Sequence, residues 1–70
     1  MIVYRWTVDG KLVKVHYEYC IKSSAGVVYN IFEDSLCNEY LWPDDGSDYV
    51  ERVPDEISVK EFIYERELER

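Results

Sequence analysis

The sequence predicts an α+β fold, a small antiparallel β-meander of three to five strands with one C-terminal α-helix packed on one face. Three observations carry that expectation. Residues 1–21 alternate apolar and polar on either side of Asp9-Gly10, a second break falls at Ser24-Ala25-Gly26, and Ser58-Val59-Lys60-Glu61 opens a helical stretch. Seventy residues make a single domain, 1–70. A core of that size is marginal, and two Trp, two Phe and seven Tyr supply large side chains to fill it.

The first twenty-one residues read as one hairpin. Asp9-Gly10 fits a two-residue type I′ turn, which needs φ > 0 at both central positions. That loop sets Val8 opposite Lys11, Trp6 opposite Val13, Tyr4 opposite Val15 and Ile2 opposite Tyr17. Continued by Tyr19 and Ile21, this face is expected to be buried. Val3, Arg5, Thr7, Leu12, Lys14, His16, Glu18 and Cys20 share the other, wet face.

Ser24-Ala25-Gly26 fits a three-residue loop with Gly26 at the left-handed position that closes a bulge. Ile21 then faces Tyr29 and Tyr19 faces Ile31, which buries Val27, Tyr29 and Ile31 and leaves Val28, Asn30 and Phe32 outside. A one-residue slip would exchange the two sets. Glu33-Asp34-Ser35 ends the strand. Leu36 to Trp42 fits either a short helix or a fourth strand, since periodicity does not separate the two in so short a run. The gain of a wider sheet favours the strand. Pro43 to Ser47 has the composition of a turn, and Asp48 to Val53 reads as a short edge strand stopped by Pro54.

The helix opens with a capping box, Ser58 to Glu61, and a staple between Ile57 and Phe62. Val59, Phe62, Ile63 and the stem of Arg66 form a narrow apolar stripe. Glu61, Glu65, Glu67 and Glu69 crowd the rest. Like-charged i,i+4 pairs and acids in the last turn work against the helix, so local stability does not explain them.

Charge is divided unevenly along the chain. Residues 1–32 carry four basic and two acidic side chains, and residues 33–70 carry four basic and thirteen acidic, for a net −7. Such an acidic half disfavours direct binding to nucleic acid or anionic lipid and favours a basic partner. No signal-peptide pattern and no span-length apolar run is present. With only Cys20 and Cys37, a reduced cytoplasmic protein is the expectation.

Chemistry-bearing clusters are sparse. His16, Glu18 and Cys20 share a strand face, but a flat face offers no pocket and no oxyanion donors, so no enzyme is expected. Cys20, Cys37 and His16 lack zinc-ligand spacing. Asp44-Asp45-Gly46-Ser47-Asp48 lacks the Gly and Glu positions of an EF-hand. No metal or cofactor is therefore expected.

The strongest candidate surface is Leu41 to Glu56 together with the helix. Trp42 and Tyr49 are aromatic anchors, and Asp44, Asp45, Asp48, Glu51, Asp55, Glu56, Glu61 and Glu65 would steer a cationic partner. These ten residues are the expected partner-binding set. In composition the chain resembles the compact acidic inhibitors of phages and mobile elements that act as nucleic-acid mimics. That resemblance implies an inhibitor occupying the basic, nucleic-acid-binding surface of a partner protein. The alternative is an assembly module that homodimerises or docks through its aromatic sheet, since Val3, Leu12, Val28 and Phe32 leave apolar area on the wet face.

Overall fold

A computed structural model describes residues 1–69. Five strands and a helix follow in order: β1 (Ile2–Thr7), β2 (Leu12–Lys22), β3 (Val28–Glu33), β4 (Glu39–Pro43), β5 (Tyr49–Arg52) and α1 (Val59–Leu68). The strands form a closed barrel in the order β1-β2-β3-β4-β5. The expected α+β fold, an open antiparallel meander with one wet face and a helix on the other, is thereby corrected to a closed five-stranded barrel with one short C-terminal helix. Successive strands of a meander alternate in direction, so an odd number can close only by a parallel seam. Here β5 joins β1 in parallel, with Trp6 opposite Tyr49 and Thr7 opposite Val50. Closure turns one sheet face into a barrel interior.

Two cores result. Val15, Phe32, Tyr40 and Val50 fill the barrel, with Val3, Val13 and Trp42 packed against them. Tyr29, Ile31 and Leu41 point outward from β3 and β4 and meet Val59 and Ile63 of α1, with Val53, Ile21, Val27 and Phe62 around them. Strand β3 thus buries both faces, which accounts for Val28, Tyr29, Ile31 and Phe32 along it. Fully burying a side chain such as Ile63 contributes about 1.5–3 kcal/mol, which helps to hold so charged a helix in place. Ser58 Oγ caps the helix by accepting from the Glu61 N–H at 3.1 Å.

Three turns share one construction. In each, the first residue accepts from the N–H three residues on, and its own N–H donates to the carbonyl four residues on: Thr7 with Gly10 and Lys11, Ser23 with Gly26 and Val27, Asp34 with Cys37 and Asn38. The third loop residue is left-handed every time, with φ of 90° at Gly10, 85° at Gly26 and 66° at Cys37. A side-chain oxygen of the first residue also accepts the N–H of the fifth, at 2.9 Å for Thr7, 3.3 Å for Ser23 and 2.9 Å for Asp34. The middle loop is the one expected from Ser24-Ala25-Gly26, and its pairing of Ile21 with Tyr29 and Tyr19 with Ile31 is observed.

The first hairpin differs from expectation by one residue. Thr7, rather than Val8, closes the loop, because its hydroxyl bonds both the Lys11 N–H and the Asp9 carboxylate. Asp9 keeps φ negative, so the two-residue type I′ turn is not formed. Trp6 now faces Leu12, Arg5 faces Val13 and Val3 faces Val15. Every β1 side chain therefore exchanges faces. Val3, Arg5 and Thr7 turn inward while Ile2, Tyr4 and Trp6 turn out.

A bulge completes the rearrangement. Tyr17 pairs with Phe32 and Tyr19 with Ile31, leaving Glu18 as an extra residue. The odd residues of β2 serve the barrel interior before the bulge (Val13, Val15) and the outer core after it (Ile21). Leu36, by contrast, is not part of β4; it lies in the turn, 80% exposed, and the strand begins at Glu39.

Candidate docking face

Among the described residues, the helix covers one side of the barrel's outer surface. The helix lies over β3 and β4, and Arg66 reaches β5 to pair with Glu51 at 2.7 Å. Among the described residues, nothing covers the outer face of β1, of β2 before its bulge, and of Tyr49 at the start of β5. Tyr49, Trp6, Tyr4 and Ile2 are 53%, 51%, 58% and 63% exposed there, joined across the β1–β2 ladder by Leu12 and Lys14. Contiguous exposed aromatics on a rigid sheet characterise contact surfaces rather than solvated ones.

Trp42 organises one margin of this face. Its ring lies 5.7 Å from Phe32 and beneath the Arg5 guanidinium at 4.3 Å. Its indole N–H donates to the Ser47 carbonyl at 2.7 Å. The acidic loop is thus tied to the barrel by a half-buried tryptophan. Within that loop, Asp45 Oδ1 accepts the Ser47 N–H, and the Asp44 N–H donates to Val28 of β3. Asp44, Asp45 and Asp48 are all exposed. Tyr4, Arg5, Trp6, Trp42 and Asp48 line one shallow depression.

The expected partner-binding residues therefore divide. Asp48 and Tyr49 border the open face, Asp44 and Asp45 are exposed in the loop beside it, and Trp42 holds that loop from within. Glu51 is committed to Arg66. Asp55 pairs with Arg52 at 3.0 Å, and Glu56 is exposed in the connection to the helix. Glu61 and Glu65 are exposed on α1. Glu67 has a structural part, accepting from Ser23 Oγ at 2.6 Å and from the Tyr29 hydroxyl at 2.9 Å. Burial, followed by that carboxylate, pushes the Tyr29 hydroxyl above its ordinary value.

Tyr4 and Trp6 were missing from the expected set, because the hairpin register placed them in the core. The signal for the longer loop was Thr7, a residue able to bond its own turn.

A second cluster sits where the bulge interrupts β2. His16 Nε2 lies 3.6 Å from Glu18 Oε1 and 3.8 Å from Glu33 Oε1. The neighbouring Glu18 carboxylate, more than partial burial, holds Glu33 above the usual carboxylate value. Cys20 and Cys37 are free and exposed. Among the described residues, no helix is long and apolar enough to cross a membrane.

Models of known families, curated proteins and solved structures give no match to this chain.

Proposed function

We propose that this chain is a non-catalytic protein-binding domain that docks a partner on the open face of β5, β1 and β2. The observation that carries the reading is the juxtaposition of Tyr4, Trp6 and Trp42 with Asp48 in one depression. Aromatic anchors at the centre and carboxylates at the margin suit a partner whose contact surface is apolar in the middle and basic around it. Clefts that hold a nucleic-acid backbone have such basic rims. The finer reading is an inhibitor that occupies one, with Asp44, Asp45 and Asp48 in place of phosphates. Two exposed free thiols fit a reducing compartment such as the cytoplasm.

The test is capture of partners from cell lysate by the tagged chain, with duplex DNA as competitor. Partners released by DNA, and lost with both Trp6→Ala and the triple change of Asp44, Asp45 and Asp48 to Asn, support the reading. Capture indifferent to DNA and to both variants removes it.

A second reading is self-association through exposed Ile2, Tyr4, Trp6 and Tyr49, which a second copy would also cover; of the expected Val3, Leu12, Val28 and Phe32, only Leu12 is exposed, because barrel closure turns the others inward. Sedimentation separates the two. A dimer at micromolar concentration that persists in high salt and dissociates with Trp6→Ala makes the face a self-association surface.

A further inference from the structure

We propose that His16, Glu18 and Glu33 form a binding site for a divalent transition-metal ion, with Zn2+ as the fitting ion. The imidazole nitrogen and the two carboxylate oxygens all lie within 4.8 Å of one another. At zinc bond lengths, a tetrahedral arrangement spaces ligand atoms roughly 3.3–3.5 Å apart. The two His–Glu separations, 3.6 and 3.8 Å, approach that spacing before any ion draws them in. The side chains are 43%, 37% and 26% exposed, so small rotamer changes are open to them. Three protein ligands leave the fourth position to water.

The backbone makes this cluster. Continued without a bulge, the ladder that sets Ile21 opposite Tyr29 would place Asp34 opposite His16. The extra residue at Glu18 shifts the register so that Glu33 faces His16 instead, and bulges re-aim side chains in this way. Among the described residues, no Lys or Arg pairs with Glu18 or Glu33, and Glu39 stands across the next ladder position from Glu33. Adjacent like charges on a sheet are unfavourable, and a divalent cation removes the conflict. One nitrogen and two oxygen donors suit Zn2+ and its neighbours in the first transition row. Ca2+ takes six to eight oxygens, and Mg2+ keeps its waters.

The chain has a single histidine, so its imidazole resonances report the site without ambiguity. The experiment titrates ZnCl2 into a Cys20→Ser, Cys37→Ser background, which removes competing thiols, and follows calorimetry and the imidazole signals. One ion per chain is expected, with the His16 resonances shifting in step with the heat. Binding should weaken by about tenfold or more in His16→Ala and in Glu33→Gln. Both variants lie on the half-exposed surface, and circular dichroism confirms that each is folded. CaCl2 is expected to leave the His16 signals unmoved. Three results overturn the proposal: no binding at millimolar Zn2+, binding unchanged in both folded variants, or His16 signals that stay fixed while heat is released. In the last two cases the ion sits elsewhere, and His16 only bridges its two carboxylates through a proton.

Discussion

Cys37 shows the fold at the scale of a residue. It occupies the left-handed position that Gly10 and Gly26 hold in the other two three-residue turns, at φ 66°. A side chain there costs about 1–2 kcal/mol from crowding between Cβ and the carbonyl. Glycine avoids that cost but adds about 0.4–1 kcal/mol of unfolded-state entropy. Cys37→Gly is therefore expected to stabilise the protein by about 0.5–1 kcal/mol, seen as a rise of a few degrees in Tm. Gly26→Ala should lose a similar amount. A Cβ at Gly26 meets nothing within 4 Å, so its cost is of the backbone alone. Equal Tm for Cys37→Gly and wild type would show that this turn relaxes its strain by another route. The same comparison explains what a reader of the sequence misses. Gly26 announces its turn, whereas Cys37 carries no such mark, and Leu36 beside it invites assignment to a strand.

At the scale of elements, the turn before β4 is held by one carboxylate. Asp34 accepts from the Leu36 and Asn38 N–H groups at 2.9 Å each, from the Asn38 side chain at 3.0 Å and from the Tyr40 hydroxyl at 2.9 Å. Partial burial raises its pKa, but the hydrogen bonds together outweigh it and hold the group below the ordinary 3.8. A depressed folded-state value means that this contribution is complete above pH 3.8 and is lost as pH falls through the folded-state value. Urea titrations of wild type and Asp34→Asn should show a stability gap at neutral pH that narrows in that acid window. A gap that stays constant with pH would assign the effect to shape, not charge. Elements that declare themselves locally were legible in the sequence: the N-cap at Ser58, the stripe of Val59, Phe62 and Ile63, and the loop at Gly26. The bulge at Glu18 was not, because a perfectly alternating strand carries no local sign that its odd residues will serve two different cores. The docking face was half legible for a related reason. Asp48 and Tyr49 follow from composition, while Tyr4 and Trp6 depend on a register that turns on the hydroxyl of Thr7.

For the whole molecule, size and charge act together. The protein measures 28 × 27 × 23 Å, and the Debye length is about 30 Å at 0.01 M salt and about 8 Å at 0.15 M. At low salt every charge on a net −7 surface acts on every other, and self-repulsion opposes the compact state. Tm should rise between 0.01 and 0.15 M NaCl, and a fall would mean that attractive pairs such as Arg66–Glu51 dominate. The closure of the barrel sets where that repulsion is released first. Its parallel seam holds two residue pairs, Trp6 with Tyr49 and Thr7 with Val50, as few as β4 shares with β5 and against six between β2 and β3. Parallel pairing is also slightly weaker per residue. The Val8 N–H, which donates to the Val50 carbonyl at 3.2 Å across the seam, is the natural reporter. Its hydrogen exchange should be faster than that of Tyr29 and Ile31 in β3, which sits between two antiparallel neighbours and is buried on both faces. Val50→Ala, which hollows the barrel beside the seam, should lower protection at Val8 more than at Ile31. Equal protection at Val8 and Ile31 in the wild type would mean that the barrel opens only by unfolding altogether. The aromatic face built across the seam by Tyr49 and Trp6 would then be as rigid as the core beneath it.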